Sequence, residues 1–476
     1  MCIRDSTYTK PADAAVTSVT IKNSKFDRCQ AGDQDNYMYE SDTDVDTFNF
    51  VLENNEVVPS GDGVIDQGDG KTAAVANTES LAEAIAGNYT TIKLAEGVYV
   101  IPDEAQGKTL TFIGTGDPED TKIATQDDGS YEGCDYSLDG STVTFENITI
   151  NTDSETYTGY ARCNGTYKNC IINGTYTLYG DSVFEDCIFN VSGDVYNIWT
   201  WGAPTATFTR CTFNSDGKAM LLYGTVDTEL TVNECTFNDK GGLTDLKAAI
   251  EIGNDYDKSY ALVVDNTTVN GYEVNDKGIV TGTTLWANKN SMPTDKLSVT
   301  IDGLTWIGGR LYRDAQGNII VNSAEALDEV DQYISEGTHN VLITEDLVGD
   351  ATIDQAANTV INVNGQNHKY RGVITVNGKS ATYTTAGLTI KDLTFDAETI
   401  SADACIRLGD GTNATRYTCN VTVDNCTFDV PGAVAVKSYT GGDKNLTITG
   451  CTATAKAHSL VQAKGCLLYT SPSPRD

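Results

Sequence analysis

Tyr179, Trp201 and Tyr223 recur at intervals of 22 and 22 residues, and Trp199 stands two positions before Trp201. They lie in three short apolar segments, TYTLYG from Thr175, NIWTWG from Asn197 and MLLYG from Met220. An extended chain sends alternate side chains to opposite faces. With Tyr176, Leu178, Ile198, Thr200, Met220 and Leu222 facing inward, Thr177, Tyr179, Trp199, Trp201, Leu221 and Tyr223 face outward. Large apolar rings left in water mark binding surfaces, and flat rings suit the apolar faces of sugars. If the segments are neighbouring strands, about 4.8 Å apart, the rings stack into a column that a neutral glycan can follow. The spacing predicts a carbohydrate-binding strip of Tyr179, Trp199, Trp201 and Tyr223, with Thr177 as a hydroxyl partner. Two other readings stay open: reversed parity makes the rings core, and an overlying loop covers them.

Other reactive residue types are sparse or scattered. The 476 residues include three histidines, His339, His368 and His458, too few to suggest a His-based metal site or a catalytic triad. The cysteines show no CxxC and no Cys/His spacing suited to zinc. Asp62, Asp66 and Asp69, and separately Asp42, Asp44 and Asp46, could bind Ca2+, but neither run has EF-hand spacing. They read as solvated acidic loops, so no metal or other cofactor is expected. Arg407, in CIRLG, is the one arginine on an inferred face strand and reads as a solvated surface residue. With 32 Lys plus Arg against 67 Asp plus Glu, the net charge is −35. That acidity repels nucleic acid and anionic membrane surfaces. No apolar run approaches the roughly 20 residues of a membrane helix. No nucleic-acid partner and no membrane-spanning segment is expected in this chain.

The elements that would position these residues come from a repeated phrase. It reads VTFENITIN from Val143, SVFEDCIFN from Ser182, ATFTRCTFN from Ala206, LTVNECTFN from Leu230, LTIKDLTFD from Leu388 and VTVDNCTFD from Val421. Self-similarity at 20–30 residues signals a solenoid. Cys170, Cys187, Cys211, Cys235, Cys426 and Cys451 share one place in the phrase, and are expected to be buried free thiols. In VTFENITI, Val143 and Phe145 alternate, and so do Ile148 and Ile150, but the two pairs are three residues apart. One continuous strand would turn Ile148 and Ile150 outward. The chain must bend near Asn147, a residue type that tolerates the left-handed conformation, and start a second inward-facing strand. With the segments around Tyr179, Trp201 and Tyr223, each coil holds about three strands. The fold class is all-β, a right-handed parallel β-helix solenoid. Over most of residues 7–465 the chain resembles the pectin-lyase-like superfamily.

Two stretches predict short N-terminal cap helices on tandem modules: one near 78–86 with Ser80 as cap, and one near 323–336 with Ser323 as a weak cap. Asn77 to Asn322 and Val143 to Leu388 are both 245 residues, so one register runs through both modules. The expected organisation is the tail of a preceding β-helix module and a linker at 7–71, a β-helix module at 72–318, and a second, truncated module at 319–465. Residues 1–6 and 466–476 resemble translated adapter DNA from transposase-made sequencing libraries. The string ATGTGTATAAGAGACAG plus one base encodes Met1 to Ser6, and its reverse complement encodes Cys466 to Thr470 and the first base of Ser471. Both ends are set aside as artefact, so the chain is expected to be a fragment of a longer protein.

The resemblance implies an extracellular bacterial protein, secreted or attached to the cell wall. Polygalacturonase-like members share NTD, DD, GHG and RIK motifs, none of which occurs here, so no catalytic residue is assigned. The first expectation is an adhesin-like protein that binds a polysaccharide or host glycan through the aromatic strip. A polysaccharide lyase or glycoside hydrolase on the same fold, and a structural stalk without ligand, are the alternatives. Fold alone does not choose among them.

Overall fold

The computed structural model describes residues 17–29, 48–53, 56–124, 138–150, 157–193, 196–241, 248–253, 257–272, 283–289, 291–378, 386–409, 419–439, 444–454 and 459–463. Both ends read as adapter lie outside the described residues, as do His458, Asp42, Asp44 and Asp46. The chain forms two compact units, one ending at Leu297 and one running from Ser298. The solenoid coils of both are parallel strands stacked into sheets.

In the first unit each phrase contributes one strand to each of two sheets, and the intervening segment contributes a strand to a third. The strands Thr142–Glu146, Asn164–Lys168, Ser182–Glu185, Thr205–Thr209, Thr228–Asn233 and Tyr260–Asp265 pair in parallel and in register in the first sheet. Thr149–Ile150, Ile171–Asn173, Ile188–Val191, Thr212–Ser215, Thr236–Asp239 and Thr268–Asn270 do the same in the second. The bend between the two is where the phrase changes phase. Asn147, Asn169, Asp186, Arg210, Glu234 and Asn266 all have φ between 49° and 57°. This left-handed turn lets Val143, Phe145, Ile148 and Ile150 all face inward, each 1% exposed or less.

Equivalent inward positions stack from coil to coil. Phe145, Tyr167, Phe184 and Phe208 form one ring column with centroids 5.4, 4.3 and 4.7 Å apart. Phe189, Phe213 and Phe237 form another at 4.6 and 4.8 Å. Cys170, Cys187, Cys211 and Cys235 are buried free thiols beside them. The Cys187 thiol pushes the neighbouring Cys211 up to about 12. Outside the second sheet, Asn190, Asn214, Asn238 and Asn270 each donate from Nδ2 to the Oδ1 of the preceding asparagine, at 2.9 to 3.1 Å.

Helix α1 spans Thr78–Ala86 and buries Leu81, Ala84 and Ile85. Its cap is Asn77, whose Oδ1 accepts from Ser80 N at 2.8 Å, rather than Ser80. Ser80 is buried, and its Oγ accepts from Gly63 N at 2.7 Å. The polar residue one turn earlier takes the cap because Ser80 already lies on the buried face of the helix.

The second unit starts with antiparallel strands, Leu304–Gly308, Leu311–Arg313 and Ile319–Val321. Helix α2, Ala324–Glu329, follows, capped by Ser323 Oγ on Ala326 N at 3.1 Å. A 3-10 turn ends this helical stretch at Gln332, earlier than the sequence suggests, and the chain then extends from Gly337. From Ile319–Val321 onward the sheets are parallel. The third sheet here holds Ala351–Gln355, Ile374–Gly378, Ala404–Leu408, Val434–Ser438 and Val461–Ala463.

Candidate binding site on the third sheet

The third sheet of the first unit holds Tyr157–Ala161, Thr175–Leu178, Ile198–Trp199, Met220–Leu222, Ile250–Ile252 and Trp286–Asn288, all parallel. Tyr176, Leu178, Ile198, Thr200, Met220 and Leu222 are each 2% exposed or less, so they form the inner face. Tyr179, Trp199, Trp201, Leu221 and Tyr223 hold the opposite parity and are half-buried. A glycine follows Tyr179, Trp201 and Tyr223, and at Gly224 it is required. A Cβ there would meet the Trp201 carbonyl oxygen at 2.1 Å, because the chain turns tightly over the previous coil. Thr225 N donates to that same carbonyl at 2.8 Å.

Three of the four rings lie together. Trp199 meets Trp201 edge-on at 5.0 Å and lies 6.3 Å from Tyr223 at 28°. Trp201 and Tyr223 are 6.0 Å apart. The indole Nε1 of Trp199 donates to the Tyr223 carbonyl at 2.8 Å and fixes the ring across the next coil. Trp199 therefore sits beside the Trp201–Tyr223 column and widens it. Tyr179 is placed differently: the Arg162 guanidinium lies 5.2 Å above its ring and is itself held by Asp139 at 3.3 Å. Thr177 is only 1% exposed, so its hydroxyl cannot serve a surface ligand as the sequence suggested. The rings are half-covered rather than open because they pack on one another.

The same face carries a carboxylate that sequence reasoning passed over. Register extends the outward column from Thr177 through Trp199, Leu221 and Glu251 to Ala287. Glu251 is fully buried although it points away from the core. Its Oε2 accepts from Tyr196 Oη at 2.8 Å and from Lys289 Nζ at 3.2 Å, and Lys218 Nζ lies 3.6 Å from Oε1. Lys218 Nζ also sits 5.2 Å above the Tyr196 ring. The alternation in AIEIG was enough to place Glu251 outward, in line with Trp199.

In the second unit the corresponding outward column is Thr352, Thr375, Arg407, Lys437 and Gln462. Arg407 is not simply solvated: its guanidinium lies 4.8 Å above the Tyr439 ring. Lys437 is 3% exposed, pairs with Asp403 and lies 5.1 Å above the same ring. Tyr439 Oη donates to Asp403 Oδ1 at 2.7 Å. The Lys437 ammonium holds the Asp403 carboxyl below the usual carboxylate range.

The acidic loop near 62–69 spends its oxygens on its own chain. Asp66 accepts from Gly68 N and Tyr89 Oη, Asp69 from the backbone of Lys71 and Thr72, and Asp62 from Asn77 Nδ2. Among the described residues no group of three or more His, Cys, Asp or Glu is arranged to hold a metal ion. No described helix is long and apolar enough to cross a membrane. In the second unit His339 bonds the Ser335 carbonyl and His368 pairs with Asp346.

The sequence matches no protein-family model and no curated protein.

Proposed function

We propose that this chain belongs to an extracellular bacterial protein, adhesin-like and secreted or attached to the cell wall. It binds glycan through the outer face of the third sheet in its first unit. The fold in this reading is a right-handed parallel β-helix of the pectin-lyase-like kind, repeated in tandem. The carrying observation is the half-exposed set of Trp199 and Trp201 on one coil and Tyr223 on the next, all outward in parity. Aromatic groups at a surface offer area at low entropic cost and a polar edge for hydrogen bonds. A sugar ring stacks on such a face while its hydroxyls stay in water. A chain of net charge −35 repels polyanions, so the ligand's backbone is neutral.

The test is a screen of the full chain against neutral polysaccharides and host-type glycans, repeated with Trp201→Ala. Loss of one stacking ring is expected to weaken binding by about 1 kcal/mol, roughly fivefold. If the intact chain binds nothing in a broad panel, a structural stalk replaces this reading.

A further inference from the structure

The cysteines of the repeated phrase all seat their sulfurs in the same way. Cys187 Sγ donates to the Glu185 carbonyl two residues back at 3.3 Å, and to the Tyr167 carbonyl one coil earlier at 3.4 Å. Cys170, Cys211 and Cys235 repeat both contacts. In the second unit Cys426 Sγ reaches the Asp424 carbonyl at 3.4 Å and the Ile390 carbonyl at 3.6 Å. Cys451 Sγ reaches the Thr449 carbonyl at 3.2 Å and the Val423 carbonyl at 3.5 Å. Ile390 pairs with Val423, and Asp424 with Thr449, in the parallel register. The two sulfurs therefore occupy equivalent seats one rung apart, a separation of about 4.8 Å.

That separation decides what the pair can do. A disulfide bond of about 2.05 Å would pull both sulfurs out of their seats. A metal bonded to both in line, with two bonds of about 2.3 Å, spans about 4.6 Å and leaves them in place. Zinc takes four ligands in a tetrahedron, and among the described residues no third His, Cys, Asp or Glu joins the pair. Thiolates are soft ligands that select Cu(I), and Cu(I) accepts two sulfurs in line. Cys451 is half-exposed, whereas Cys170, Cys187, Cys211 and Cys235 are buried, so solvent reaches this pair and not the column of the first unit. The backbone N–H of Cys426 donates to Cys451 Sγ at 3.5 Å, a contact that strengthens when the sulfur becomes an anion. We infer that Cys426 and Cys451 form a two-coordinate site for a soft univalent cation of the Cu(I) type, which ties their two coils together. Binding releases both thiol protons to solvent and leaves a bis-thiolate complex with one net negative charge. The half-exposure of Cys451 lets water share that charge. The site lies in the second unit and does not depend on the aromatic strip.

The experiment titrates the full chain, reduced and kept free of oxygen, with Cu(I) in competition with a chromogenic Cu(I) chelator. Other cysteines of the chain can also take Cu(I), so the quantity read is the difference between the wild type and a variant. Cys451→Ser should bind one equivalent fewer, and Cys426→Ser should show the same loss. X-ray absorption of the loaded wild type should contain a two-coordinate, all-sulfur component that Cys451→Ser lacks. Cu(I) should also shield Cys451 from iodoacetamide in the wild type, located by peptide mapping, and should fail to do so in Cys426→Ser. Thermal melts of the metal-free variants verify that they are folded, and the shielding in the wild type is read without any variant. Equal stoichiometry in the wild type and Cys451→Ser overturns the inference. So does alkylation of Cys451 at the same rate with and without Cu(I). A lost component with three or more ligands would also overturn it, since the in-line geometry is what the rung spacing selects.

Discussion

The two units build their third sheets alike on the inside and differently on the outside. Inward positions are apolar in both: Ile198, Met220 and Leu222 in the first, Ile353, Ile406 and Val436 in the second, none exposed. Outward, the first unit presents Trp199, Trp201 and Tyr223, whereas the second presents Thr375, Arg407 and Lys437. Stacking in register constrains the inner face, since a slip of one residue would expose every apolar partner. The outer face carries no such constraint, so the residues that differ there are the ones free to serve a ligand. Both outer faces also bring a carboxylate, a lysine and a tyrosine together, in each unit with one member on a strand, Glu251 or Lys437, and the others just beyond strand ends. In the first unit the carboxylate is the buried member. In the second it is the lysine, and Asp403 keeps half its side chain in solvent.

The largest effect expected from this contrast is inside the coil. Phe208 stacks on Phe184 at 4.7 Å, meets Phe213 edge-on at 5.6 Å and is fully buried. Phe208→Ala should cost about 3–5 kcal/mol, while Trp201→Ala should cost about 1 kcal/mol, read in each case by denaturant titration. Equal losses would place Trp201 in the core.

Next comes the buried charge. Glu251→Ala leaves Lys218 and Lys289 without their shared carboxylate and should destabilise by about 3 kcal/mol. Lys437→Met keeps the aliphatic stem and leaves Asp403 to solvent, and should change stability by about 1 kcal/mol or less. A large loss for Lys437→Met would mean that the two clusters play one structural role.

The smallest effect is at the bends. The second unit holds left-handed φ at Asp392 and Asn425, both suited to it, whereas the first holds Arg210 and Glu234 there at 53°. Arg210 is compensated by pairing with Glu185 and Asp186 at 2.6 and 2.7 Å. Glu234 is exposed, and Glu234→Asn should stabilise by about 0.5–1 kcal/mol. A neutral or negative change in melting would show that the bend stores no strain.

How far the structure was legible follows the same division. The phase shift at Asn147 announced both the bend and the inward set, because strand alternation is a local rule. The parity that placed Trp199, Trp201 and Tyr223 outward came from the same rule. What lies over an outward residue is set by other coils. Tyr196 and Lys289 reach Glu251 from 55 and 38 residues away, and no local pattern encodes that meeting. Thr177 is buried and Arg162 covers Tyr179 for the same reason. At α1 the spacing located the helix but not its cap, since Ser80 was already committed to Gly63.

The chain has four tryptophans, two at the sheet surface and two buried. Trp199 and Trp201 are half-exposed on the outer face, whereas Trp286 and Trp306 are 0% and 7% exposed. Acrylamide quenching of tryptophan fluorescence, with and without the glycan panel, tests the central claim directly. The account predicts a quenchable and a protected class, with the quenchable class lost in the Trp199→Phe, Trp201→Phe double variant. A bound glycan should shield that class in the wild type. A single protected class, or a quenchable class that no glycan shields, would contradict it.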